Sequence, residues 1–204
     1  MTRLLHLLLI GVFATLYASA AEPAQKILAD AASRLENAPS VSANCVVSAN
    51  GQKNVAKLIM SGQRFVVESD RMSVWFDGKT QWTWSADTRE VTVTEPTPQE
   101  LAQINPLAIL AAFRSGYTAT PLPRQNGASE RLRLTAKSAS ADIRQVDITL
   151  QAATLAPERF AVAYSGGTTA TIEISSFSIG KKLPLTTFRY DPKSHPDAEI
   201  VDLR

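Results

Sequence analysis

Outside the first twenty residues, the chain carries one histidine and one cysteine, and these are its best-equipped residues for chemistry. His195, in "DPKSHPDAE", could serve as a general acid or base, but a lone loop histidine reads as a surface residue. Cys45, in "SVSANCVVSANG", could serve as a nucleophile, but in a strand it reads as a small buried thiol. One of each gives almost no material for a nucleophile–base–orienter triad or a zinc site. Carboxylate pairs such as Asp70 and Asp77 occur, as expected of a solvated rim. "SGG" at 165–167 reads as a hairpin turn and not as a phosphate cradle. A hydrolase would need converging acid and base groups that the sequence does not offer. The chain therefore reads as a non-enzyme with no catalytic residues, no metal site and no cofactor.

The remaining composition narrows the partners. There are 21 Lys and Arg against 19 Asp and Glu, with no basic block, so nucleic acid is not expected. The chain opens "MTRLLHLLLIGVFATLYASAAEPAQK". Arg3, an apolar stretch and Ala18-Ser19-Ala20 form a signal peptide over residues 1–20 with a small-x-small cleavage site. An uncleaved anchor is the competing reading, but the apolar run is short of the roughly 20 residues a span wants. No cysteine follows the site, so the protein is not expected to become a lipoprotein. Residues 21–204 are then expected to form one domain, exported and soluble once the signal peptide is removed.

The elements that must position any site are mostly strands. Residues 22–37 place Ile27, Leu28, Ala31 and Leu35 on one face of an amphipathic helix, closed by Asn37 and Pro39. Strand-like runs follow, several with apolar and polar residues in alternation. Asn50-Gly51, Asp77-Gly78 and Ser165-Gly166-Gly167 supply hairpin chemistry. Two short helices are expected at about 98–104 and 106–114, split at Pro106, which lacks the amide donor a helix interior needs. Residues 116–128 read as a loop. The parts suggest a mainly β fold: a strongly curved antiparallel sheet forming an incomplete, half-open barrel, with short helices as an α lid. A closed small barrel with an outer helix is the alternative.

All three tryptophans lie in "SVWFDGKTQWTW", residues 73–84. By alternation Met72, Val74 and Phe76 share one face, Trp82 and Trp84 share a face of the partner strand, and Trp75 points away from Met72 and Val74. The alternation gives Trp75 no role.

The run "VWFDGKTQWTWSADTREVTVTE" (74–95) followed by "INPLAILAAF" (104–113) resembles the outer-membrane lipoprotein carrier family, the LolA-like proteins. Asp77-Gly78-Lys79-Thr80, Trp82, Trp84, Glu90-Val91-Thr92-Val93 and Asn105-Pro106 match its signature in order and spacing. The resemblance implies a half-barrel with a hydrophobic cavity under a helical lid. It implies a monomeric periplasmic carrier that takes acylated lipoproteins from an inner-membrane lipoprotein-releasing ABC transporter to an outer-membrane acceptor, with no cofactor. A periplasmic lipid- or lipoprotein-sensing regulatory domain and a glycolipid-related carrier are the alternatives on the same scaffold. The family's lid-holding Arg-Pro element is replaced here by Ser61-Gly62, which leaves Arg64 as the candidate for lid control, with Pro106 as the bend.

The expected acyl-chain wall is a group and not a set of individually decisive residues. It comprises Met60, Phe65, Val67, Met72, Val74, Trp82, Trp84, Val91 and Val93 on strands, and Ile104, Leu107 and Leu110 on the lid. Trp82 and Trp84 are expected where a chain or the lid would press. Small Ala108, Ala111 and Ala112 would let the lid pack loosely.

Overall fold

A computed structural model describes residues 23–97, 100–101, 113–124 and 127–204. The expected signal peptide and the lid residues Ile104, Pro106, Leu107 and Leu110 lie outside the described residues. Helix α1 spans 23–36. It ends where Asn37 donates to the Ser33 carbonyl from both its backbone N and its side-chain Nδ2, at 3.0 and 2.8 Å. Twelve strands follow: β1 Ser40–Ala49, β2 Gln52–Ser61, β3 Arg64–Ser69, β4 Met72–Phe76, β5 Gln81–Ser85, β6 Glu90–Thr94, β7 Tyr117–Pro121, β8 Ser129–Ala136, β9 Ile143–Gln151, β10 Pro157–Tyr164, β11 Thr169–Gly180 and β12 Glu199–Asp202.

They form one open, mainly antiparallel sheet in the order β12-β6-β5-β4-β3-β2-β1-β11-β10-β9-β8-β7. The pairing of β1 with β11 joins the N-terminal run of hairpins to the later one. At that seam Asn44 opposes Ser176 and Cys45 opposes Ile174, so Ser175 is the extra residue of a bulge. The bulge is pinned by two polar contacts: Ser175 Oγ donates to the Asn44 carbonyl (3.1 Å), and Asn44 Nδ2 donates to Ser176 Oγ (2.8 Å). One inserted residue resets the pleat, so Phe177 and Ile174 both reach the same face although three positions apart.

Directly opposed residues of an antiparallel pair share a face. The inner face carries Val41, Met60, Phe65, Val74 and Phe76 in one cluster. It carries Leu132, Leu134, Val146, Ile148 and Leu150 in another. Helix α1 lies across both, with Ala24, Leu28 and Ala31 on the second cluster and Leu35 on the first. A helix that could not persist alone is held here by its apolar stripe.

The structure departs from the sequence expectations in four places. Residues 117–121 are a strand and not loop: Tyr117 and Ala119 are buried on the inner face opposite Ala136 and Leu134. Pro121 is tolerated because β7 is an edge strand. The hairpin between β4 and β5 turns over four residues, 77–80, with Gly78 at φ 105°, and not over Asp77-Gly78 alone. By contrast Asn50 and Gly51, at φ 51° and 76°, do form the expected two-residue turn.

The third departure is a C-terminal strap that crosses the outer face. It includes two short 3-10 turns, Leu185–Phe188 and Pro192–Ser194, and ends in β12, which runs parallel to β6. The fourth is His195, which is half-buried and stacked on Trp84 with ring centroids 4.1 Å apart, and not a surface histidine.

Candidate functional site: an apolar cavity

The sequence concentrates branched aliphatic and aromatic residues on one face of β1, β2 and β9 to β11, then lays α1 over them. Between these layers lies a cavity of about 180 Å³. Its floor includes Val41, Ala43, Leu58 and Met60 from the first hairpin. Val146, Phe160 and Val162 line it from β9 and β10, and Ile172, Ile174 and Phe177 from β11. Leu35 of α1 and Phe113 line it from the covering side, and Ile143 and Pro157 from the ends of β9 and β10. Tyr164, at the end of β10, contributes the one polar side chain among the described lining residues. With no charged or amide side chain among them, these residues are suited to hydrocarbon.

Polar contacts at the edge hold the covering elements. Arg114 Nη1 lies 3.1 and 3.2 Å from the two Glu36 carboxylate oxygens, directly beside Phe113 and Leu35 in the chain. Gln25 Nε2 donates to the Arg114 carbonyl at 3.2 Å, and its Oε1 accepts from the Ala119 amide at 3.1 Å. The segment that carries the expected lid begins with a capping box: Glu100 Oε2 accepts from the Thr97 amide and hydroxyl, both at 2.8 Å. These two bonds lower the Glu100 pKa from its ordinary value. Leu101 then packs on the Val41–Phe65 cluster. Cys45 sits on the inner face between Ala56 and Ile174, and burial raises its thiol pKa from the ordinary value.

The sequence-based wall divides three ways. Met60 lines the cavity, and Phe65, Val67 and Val74 belong to the inner-face cluster beside it. Met72 shares that face but is exposed at the start of β4. Trp82, Trp84, Val91 and Val93 do not face the cavity. Trp82 opposes Trp75 and Val93, and Trp84 opposes Val91, which puts all of them on the outer face. Trp75 packs there with Val66 and the fully buried Phe188 of the strap. Tyr190 stands 5.5 Å from Trp75, ring centre to ring centre. The tryptophan hairpin therefore packs against the strap.

Arg64 is on this outer face too, with its guanidinium carbon 5.3 Å from the centre of the Phe188 ring. It is placed to hold the strap, and the sheet separates it from α1 and Leu101. The loop at 77–80 is fixed to the same strap. Asp77 Oδ1 accepts from the Lys79 and Thr80 amides (3.1 and 3.0 Å), and Oδ2 from Arg189 Nε (2.9 Å). Burial alone would raise the Asp77 pKa. The Thr80 and Lys79 amides and the Arg189 guanidinium outweigh it and hold the carboxyl below its ordinary value.

Val146, Phe160, Val162, Ile172 and Ile174 line the cavity although the sequence reading does not single them out for it. Alternation is the signal that marks them: Val146, Ile172 and Ile174 have polar neighbours, and Phe160 and Val162 alternate with alanines.

Residues 14–166 match the family described as outer membrane lipoprotein carrier protein LolA. The chain belongs to that family. No curated protein matches it. Among solved structures, it is similar to an uncharacterized conserved protein from Thermus thermophilus, with TM-score 0.59 and 15% identity over 88% of this chain and 99% of that one. A putative outer membrane lipoprotein-sorting protein domain from Vibrio parahaemolyticus gives TM-score 0.48 and 10% identity, over 83% and 97%. A LolA superfamily protein from Nitrosomonas europaea gives 0.41 and 14%, over 82% and 98%. The first of these likenesses extends over nearly the whole of both chains and bears on the fold alone.

Proposed function

We propose that this LolA-family protein is a periplasmic carrier that shelters the acyl chains of lipoproteins in the inner-face cavity. Cargo passes from an inner-membrane ABC transporter to an outer-membrane acceptor, and the carrier binds and releases without catalysing a reaction. The observation that carries this reading is a cavity whose described lining is apolar, roofed by Leu35 of α1 and by Phe113. Each methylene moved from water into such a lining gains about 0.8 kcal/mol. That is ample to hold a long chain yet divisible into small steps for release.

The resting volume bears on how cargo is accepted. An engineered apolar cavity of about 150 Å³ holds one benzene. The present cavity, about 180 Å³, is therefore too small for several long chains at rest. On this reading Leu35 and Phe113 move aside when cargo arrives, and the surface they leave becomes wall.

The test is to incubate the purified protein with membranes that contain a triacylated lipoprotein and the cognate transporter. A soluble one-to-one complex is expected only with ATP, and absence of release would sink the reading. Ala43→Phe, which puts a ring into the cavity floor, should lower the yield of complex at least tenfold while the protein stays folded. An unchanged yield would remove the cavity from the account.

A further inference from the structure

The stretch that leaves β11 combines exposed aliphatic and cationic side chains. It reads Ile179-Gly180-Lys181-Lys182-Leu183-Pro184-Leu185, and residues 178–190 contain no Asp or Glu. Ile179 and Leu185 are 52% and 40% exposed. Lys181 and Lys182 are exposed, and among the described residues neither takes part in an ion pair. Arg64, also without a carboxylate partner among them, lies at the same end of the sheet. It is three strands away from β11, about 14 Å at the usual strand spacing.

The stretch is fixed in place. Ser40 Oγ donates to the Lys181 carbonyl at 2.8 Å. A side chain at Gly180 would start 3.0 Å from Ser40 Oγ, so β1 and β11 approach closely there. Leu183 and Phe188 pack into the outer aromatic cluster, and Asp77 holds Arg189. The exposed side chains are thus presented by an ordered backbone, which removes part of the ordering cost of binding.

We propose that this patch docks the protein on an anionic lipid surface. Unpaired lysines near such a surface each contribute a modest attraction, screened by salt. Exposed aliphatic side chains beside them can enter the boundary between headgroups and acyl chains. The two contributions together give weak, reversible attachment. The position adds a reason. Ile179 opposes Val41 and lies two residues beyond Phe177 on the same face of β11, and both Val41 and Phe177 line the cavity. An apolar track therefore leads from the patch to the cavity, and docking would bring that end of the cavity to the bilayer. Surface attachment does not depend on chain uptake, so the two are measured separately.

The experiment is co-sedimentation of the purified protein with vesicles of phosphatidylcholine alone or mixed with phosphatidylglycerol. Attachment is expected to the mixed vesicles only, and to fall as salt rises. Lys181→Gln with Lys182→Gln should lower the partition coefficient about thirty-fold. Ile179→Ser with Leu185→Ser should lower it as well. All four side chains are exposed, and thermal unfolding would confirm that the variants stay folded. Equal attachment to neutral vesicles, no attachment to either kind, or an unchanged lysine double variant would overturn the proposal. Binding of polyglutamate in place of anionic vesicles would overturn it in favour of an acidic protein partner.

Discussion

The strands β8 to β10 and the strands β3 to β6 solve the same problem differently. In the first group the inner face carries Leu132, Leu134, Val146, Ile148 and Val162. Its outer face carries Arg131, Arg133, Asp147 and Arg159 in register, with Arg133 bonded to Asp147 through two contacts of 2.8 and 2.7 Å. In the second group β3 and β4 are apolar on both faces, with Phe65, Val74 and Phe76 inside and Val66 and Trp75 outside. Strands β5 and β6 add Trp82, Trp84, Val91 and Val93 to the outer face and Gln81, Thr83 and Thr92 to the inner one. A sheet that is greasy on both sides needs two covers. Here the inner cover is α1 with Leu101, and the outer cover is the C-terminal strap. The outer layer is filled by stacked rings and the inner one leaves space, so rigidity belongs to one side and adaptability to the other.

The comparison is broken most severely by removing the outer seal. Phe188→Ala empties a fully buried site against Val66 and Trp75. It should cost about 3–5 kcal/mol in urea unfolding. A loss under about 1 kcal/mol would mean that the strap is not integral to the fold.

A smaller effect is expected from the polar tie of the same strap. The Asp77 carboxylate is only 8% exposed and accepts two amides and Arg189. Its lowered pKa contributes stability above the unfolded-state value, about 3.9. That contribution is lost as pH falls through the still lower folded value. Asp77→Asn should therefore cost about 1.5–3 kcal/mol near neutrality. The gap between variant and wild type should close as pH drops below about 3.9. A gap that persists at lower pH would show that the charge is not what matters.

The smallest effect belongs to the solvated outer face of the other group. Arg133→Gln breaks a partly exposed pair with Asp147 and should change stability by less than about 1 kcal/mol. A loss approaching that of Phe188→Ala would erase the distinction between the two regions.

The same distinction explains what is legible in the sequence. In β8 to β10, Arg131, Arg133 and Asp147 alternate with leucine and valine, so the pattern of residue types alone identifies the buried face. In β4 alternation separates Val74 from Trp75, and in β5 it separates Trp82 and Trp84 from Thr83, but it cannot say which apolar face of β4 meets a helix or which of them the β5 tryptophans join. Trp82 and Trp84 are expected at the cavity for that reason, and the fold puts them on the other side. The decisive information sits more than a hundred residues away, in Phe188, Tyr190 and His195. The strap itself has few local signals, because β12 is four mostly exposed residues pairing in parallel with a strand far off in sequence. Pro121 and two threonines hide β7, although Tyr117 and Ala119 alternate correctly. Val41, Ala43 and Leu58 lie on strands that their residue types mark, and only the covering by α1 distinguishes a cavity wall from ordinary core there.

The central claim is that acyl chains occupy the inner face and not the tryptophan face. Photo-crosslinking tests it most directly, with benzoylphenylalanine placed at Phe160 in one protein and at Trp84 in another, each irradiated after ATP-driven loading with triacylated lipoprotein. The account predicts an adduct on the lipoprotein's acyl chains from position 160 and none from position 84. An adduct from position 84, or none from position 160 in a loaded complex, would contradict it.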